Sequence, residues 1–222
     1  MRLALETSRR GSSWALRDAG GHSLGSGELG LGQSFGSVGI AALDDLFLKA
    51  GLQPRNIQRL ALNIGPGSAT GLRLGVALAQ AFDLIVPDIV VEAIPLEAIA
   101  LQALEDGVGG AARQALLLEN AYGGEFFVQK YVRAGSWELV GELLRCNEEG
   151  LNIPEDGVVL TGAEKKLLKH SDVPWMCADW LNAACVADAA HAKDYATPIR
   201  SLGVRYLKET SAEILWRKRH GT

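Results

Sequence analysis

The residues best suited to chemistry lie where an apolar run, Leu60 to Ile64, meets the segment Gly65-Pro66-Gly67-Ser68-Ala69-Thr70-Gly71-Leu72-Arg73-Leu74-Gly75. Gly65, Gly67 and Gly71 permit positive φ and close backbone approach, and Pro66 stiffens the turn. Ser68 or Thr70 can cap the helix that follows by accepting from its first N–H groups. Those N–H groups and the positive end of the helix dipole favour a phosphate or a carboxylate. The same geometry also serves as a plain strand-to-helix turn. A P-loop is excluded, because Gly71-Leu72-Arg73 stands where Gly-Lys-Ser/Thr is needed to reach the outer phosphates. A dinucleotide fingerprint fits little better, since Thr70 takes the place of its third glycine and about sixty residues precede the strand.

Other nucleophile systems lack their parts. In Gly65-Pro66-Gly67-Ser68-Ala69 the serine is displaced from the Gly-x-Ser-x-Gly elbow, and no ordered Ser, Asp, His set follows. His22, His170, His191 and His220 are scattered without ligand spacing. Cys146, Cys177 and Cys185 are odd in number and form no Cys-x-x-Cys pair, which suggests reduced thiols and a cytoplasmic setting. With no nucleophile and base held together, no catalytic residue and no metal ligand is assigned.

The elements that would position the glycine turn follow from periodicity. Arg2 to Glu6, Ser13 to Arg17 and Ser23 to Glu28 read as strands separated by turn residues. Gly36 to Ala50 reads as a helix with Ile40, Leu43, Leu46, Phe47 and Ala50 on one face. Strand 60–64, helix 70–82, strand 89–91 and helix 95–104 complete an α/β unit with a mixed sheet. The run 105–112, with Gly107, Gly109 and Gly110, is the expected boundary between a first domain, 1–106, and a second, 107–222, whose last helix packs back on the first. Leu5-Glu6, Gly11 and Trp14 are echoed 113 positions later by Leu118-Glu119, Gly124 and Phe127. Strands over 137–145 and 158–161 and helices from about Ala163 and Ala178 continue the second copy. Trp175 and Trp180, near Cys177, read as core packing.

Composition sets the outer limits. The chain has 222 residues, of which 48% are hydrophobic and 22% charged, enough for one large domain or two small ones. Its net charge of −4 supplies no global basic field for nucleic acid. Gln80, Asp83 and Pro87 break the longest apolar candidate for a membrane span, and Glu6, Arg9 and Arg10 fall where a leader would be apolar. The basic end Arg217-Lys218-Arg219-His220 reads as a solvated terminus.

The segment 65–75 resembles the signature Gly-Pro-Gly-Ser-Phe-Thr-Gly-(Leu/Val)-Arg-(Ile/Leu)-Gly of the TsaB (YeaZ) family, relatives of the Gcp/Kae1 glycoprotease-like proteins, with Ala69 in place of Phe. Leu3-Ala4-Leu5-Glu6-Thr7-Ser8, Ala93-Ile94-Pro95-Leu96-Glu97-Ala98 and Tyr206-Leu207-Lys208 are further points of resemblance. The resemblance implies an α/β actin-like ATPase (ribonuclease H-like) fold of two tandem lobes, with mixed sheets flanked by helices. In that fold an acidic residue ends the first strand of each half beside the nucleotide phosphates. Glu6, followed by Thr7, and Glu119 fall there as a vestigial nucleotide site, where the family carries Asp first and Asp-Ala-Arg second. The His-x-x-x-His metal helix of the catalytic Gcp-type relative is missing.

The resemblance implies a non-catalytic scaffold in tRNA N6-threonylcarbamoyladenosine formation. Its partners would be a TsaD/Gcp-like subunit and a TsaE-like ATPase, with tRNA reached through the complex and pairing of two copies as an alternative. ATP and a divalent metal would belong to the partner, leaving this chain without a cofactor and without a membrane role. On the helix after the glycine turn, Leu72, Leu74, Val76, Ala77, Leu78, Ala79, Ala81 and Phe82 point nearly all round, so that either the chain's own sheet and a neighbouring helix or a partner surface must cover it. Gly71, Gly75 and Ala79 recur every four positions, a row that would admit a partner helix. Two rival readings are a nucleotide-dependent phosphotransferase or ATPase using Glu6, Glu119 and the glycine turn, and a glycoprotease-like peptidase.

Overall fold

The computed structural model describes residues 1–9, 11–30, 33, 35–154, 157–161, 175–176 and 180–205. Strands β1 (Arg2–Glu6), β2 (Ser13–Arg17) and β3 (Ser23–Glu28) lead to helix α1 (Phe35–Ala50). Then follow β4 (Arg59–Asn63), α2 (Ala69–Ile85), β5 (Val90–Ile94) and α3 (Leu96–Glu105). The second half has β6 (Gln114–Tyr122), β7 (Glu125–Ala134), β8 (Ser136–Asn147), β9 (Val158–Thr161), β10 (Trp175–Met176) and α4 (Ala183–Ala192).

The same sheet is built twice. One has the order β3-β2-β1-β4-β5 and the other β8-β7-β6-β9-β10, each with antiparallel hairpins on one side and parallel strands on the other. This is the actin-like plan of two tandem lobes with mixed sheets. Leu5 sits opposite Leu62 of β4, and Leu118 sits opposite Thr161 of β9, so Glu6 and Glu119 each follow the last parallel pair of their strand. The echo is imperfect in the hairpins. Trp14 pairs with Leu5, but Phe127 pairs with Glu119, because the β6–β7 ladder shifts register between Asn120 and Tyr122.

One core joins the two sheets. It takes Ala4, Ala15 and Ala61 from the first sheet and Leu117, Tyr131, Trp137 and Leu160 from the second, with Leu96, Ile99, Ala100, Val186 and Ala190 of α3 and α4 between them. Helix α4, although late in sequence, packs on β1, β2, β4 and β5 as well as on α3. A second core lies on the opposite face of the first sheet, under α1 and α2. Expected burial fails at Ile40, which is 63% exposed, while Phe35 and Gly39 turn inward. The apolar face of α1 is rotated toward its start because Phe35 packs edge-on against Trp14.

The first sheet also holds a buried ion cluster. Arg2 and Arg59 are register partners on β1 and β4, and both reach Glu92 of β5, which is fully buried. Arg2 donates to Glu92 through Nε at 2.8 Å and also to the carbonyl of Ala190 at 3.2 Å, tying the end of α4 to the sheet. The buried Glu92 carboxylate is thereby paired with two guanidiniums, that of Arg2 buried and that of Arg59 partly exposed.

Candidate functional site

The glycine turn and the loop after β1 form a single hydrogen-bonded unit. Asn63, the last residue of β4, accepts from the N–H of Gly65 at 2.9 Å and donates to Glu6 Oε2 at 2.8 Å and to Ser8 Oγ at 3.1 Å. The other oxygen of Glu6 accepts from the Ser8 N–H at 2.6 Å. Ser68 donates its N–H to the Ser8 carbonyl at 2.8 Å, and its hydroxyl caps α2 by accepting from Gly71. Glycine is required here by close approach. A Cβ at Gly67 would come within 2.6 Å of Ser8 Cβ, and one at Gly71 would overlap the Thr7 carbonyl. The N–H groups of Gly65, Ser68 and Gly71, which the sequence offers to an anion, are thus directed to acceptors within the chain.

Small residues on α2 serve the same contact. A Cβ at Gly75 would meet Thr7 Oγ1 at 2.9 Å, and Gly75 and Ala79 are buried. The row Gly71, Gly75, Ala79 therefore faces the chain's own β1 loop and sheet, which corrects the expectation that it admits a partner helix. Leu72, Leu78 and Phe82 are buried as well, and Leu74 and Val76 pack at the margin of the core. The outward face consists of Thr70, Arg73, Ala77, Gln80, Ala81, Asp83, Leu84 and Ile85, with Leu84 86% exposed. Leu84 and Ile85 fall beyond the helix end expected at residue 82, so the sequence reading missed the most exposed apolar side chains of the element.

The carboxylates of Glu6 and Glu119 are both engaged. Glu6 is buried, and burial pushes its carboxyl above the ordinary value of 4.5, against the opposing hydrogen bonds of Ser8 and Asn63 and the charge of Arg9. Glu119 receives the Arg9 guanidinium, through Nη2 on one oxygen and through Nε at 3.3 Å on the other. Arg9 in turn lies 5.1 Å from the ring centroid of Trp180, a residue just before α4. Thr7 is buried against α2. Arg9 went unassigned because its pairing spans 110 positions and leaves no local pattern.

Among the described residues, no group of three or more His, Cys, Asp or Glu is placed to hold a metal ion. Burial raises the thiols of Cys146 and Cys185 above their usual range, which disfavours the nucleophilic thiolate. No helix among the described residues is long and apolar enough to cross a membrane. The stretch around Ala163, His170, Cys177, Tyr206-Leu207-Lys208 and the basic end 217–220 lie outside the described residues.

Residues 39–137 match the family model described as "TsaD: tRNA N6-adenosine threonylcarbamoyltransferase". The chain is similar to the solved structure of YeaZ from Pseudomonas aeruginosa, with 21% identity and a TM-score of 0.73 over 93% of this chain and 99% of that one. A second structure, an uncharacterized protein with similarity to peptidase YeaZ from Pseudomonas aeruginosa, aligns over the same shares with 20% identity and a TM-score of 0.75. No curated protein matches the sequence. At these identities the structural matches establish the fold. The resemblance carried by residues 65–75 is therefore joined by a family-model match over residues 39–137 and by a fold shared with YeaZ.

Proposed function

We propose that this chain is a TsaB-type scaffold that carries no chemistry of its own and docks a TsaD/Gcp-like catalytic subunit for N6-threonylcarbamoyladenosine formation on tRNA. The observation that carries the reading is the coincidence of the glycine-turn motif at 65–75 with a whole-chain YeaZ fold. Further support comes from the site itself, where Ser8 and Asn63 hold Glu6 and Arg9 holds Glu119. A carboxylate used as a base must reach substrate, and these two are held by the protein.

The docking face is the outer side of α2, from Arg73 through Ala77 to Leu84. The inward row Gly71, Gly75, Ala79 sets its position by fixing how closely α2 lies on the β1 loop. The TsaE-like ATPase, tRNA and any second copy of the chain join through this assembly, and ATP and metal belong to the partner subunit. The division of the chain at 106/107 is a division between the two sheets.

Complementation tests the reading. Depletion of the protein lowers N6-threonylcarbamoyladenosine in tRNA nucleosides, and the wild-type chain restores it. Ala77→Asp combined with Leu84→Asp is expected to abolish both restoration and co-purification of the TsaD-like protein, because a charge driven into an interface costs several kcal/mol in desolvation. Both positions are exposed, so circular dichroism should be unchanged. Full restoration by a folded double variant would reject the docking face, and unchanged tRNA after depletion would reject the function.

A further inference from the structure

An actin-like fold implies a metal-bound nucleotide between its lobes, held in part by acidic residues at the ends of the two first strands. The corresponding residues are Glu6 and Glu119, each just past the last parallel pair of its strand, and the residues present do not fit a metal. Each carboxylate already has its donors: Ser8 and Asn63 on Glu6, and Arg9 on Glu119. Arg9 comes from the loop of the first lobe that follows Glu6, and it crosses to the second lobe to reach Glu119. Its side chain is only 12% exposed and that of Glu119 8%. Trp180, 4% exposed and just before α4, covers the guanidinium. The charge of Arg9 also acts on Glu6.

We propose that Arg9 is a resident cation: its guanidinium neutralises Glu6 and Glu119, where the parallel pairing of β1 and β6 ends, and closes the interlobe cleft, so that this chain is held together there without a divalent metal. The argument is one of charge and access. Two buried carboxylates need positive charge nearby, and a fixed side chain under an indole supplies it permanently where a hydrated ion would have to enter. The inference stands on the isolated chain and does not depend on the docking reading.

The experiment is thermal unfolding of the full chain with and without about 10 mM MnCl2 or MgCl2, for wild type, Arg9→Gln and Arg9→Gln/Glu119→Gln. Wild type is expected to show no metal response. Arg9→Gln should melt lower without metal and regain about 3 °C with it, the shift that binding to the native state produces in a chain of this size. The double variant should lose that response. Should Arg9→Gln fail to fold alone, recovery of its circular dichroism on adding Mn²⁺ is the expected result. A wild-type protein stabilised by the metal, or an Arg9→Gln variant that neither gains stability nor refolds with it, overturns the proposal.

Discussion

Glu6 is held at the end of β1 by donors that favour its charged form and by a burial that opposes it, and burial is the larger effect. Its folded-state value therefore lies above 4.5, the value it has when exposed. Below that pH both native and unfolded states carry the proton, and the contribution to stability is complete. As pH rises from 4.5 through the folded-state value, the unfolded chain releases the proton first and stability declines. Glu6→Gln removes this titration, although its amide also sets a donor against Asn63 Nδ2 and lowers stability at every pH. Urea midpoints across pH 4 to 7 (roughly the window in question) should show the advantage of wild type shrinking as pH rises. Parallel curves for the two proteins would show that burial does not dominate at Glu6. Only part of this is written locally: Ser8 and Arg9 lie two and three positions away, but Asn63 arrives from β4 and the burial comes only with the packed fold.

At the scale of elements, α2 shows what periodicity can and cannot reveal. Its existence, its cap at Ser68 and its glycine entry are legible, because capping and turn chemistry are local. Which of its apolar sides faces inward is not, because a helix apolar nearly all round has no polar stripe to orient it. The small residues decide it, yet glycine marks close approach without saying to what, and here the approach is to the chain's own β1 loop. The same limit applies to α1, where Ile40 has the right spacing and the wrong side. Strands β1, β2, β3 and β9 were fully legible, since alternation and flanking turns fix them within a few residues. The packing of α2 gives a direct test. Gly71→Ala must displace either the Thr7 carbonyl or the helix, and it is expected to cost about 1–3 kcal/mol, as overpacked sites do. Gly36→Ala in α1, where a Cβ meets open space, is expected to be neutral or slightly stabilising. Urea unfolding of both variants measures the contrast, and equal stability would mean that the β1 loop yields to α2 without resistance.

For the whole molecule, the duplicated sheets suggest two independent lobes, yet the core suggests one. Sequence reading reached the duplication through four matched positions, because strand, acidic residue, glycine turn and strand recur at a fixed offset. It could not reach the shared core, which depends on α4 returning from residue 183 to lie on a sheet completed by residue 94. Arg2 donates to Ala190, the Ala183 N–H donates to Ser13 Oγ at 2.9 Å, and Tyr131 Oη donates to the Glu97 carbonyl at 2.9 Å. Each bond joins parts of the chain far apart in sequence. A fragment of residues 1–106 would keep all five strands of the first sheet but expose Ala4, Ala15, Ala61, Ile99 and Ala100, which α4 and the second sheet cover in the intact chain. An apolar face of that extent left in water opposes folding and promotes association. The fragment is therefore expected to be aggregated or to lack a cooperative thermal transition, whereas the intact chain should unfold in one step, with tryptophan fluorescence and far-ultraviolet circular dichroism coinciding in urea. A monomeric fragment 1–106 with its own sharp transition, or two separated transitions in the whole chain, would show that the first sheet stabilises itself and that the core between the sheets is a contact between finished domains.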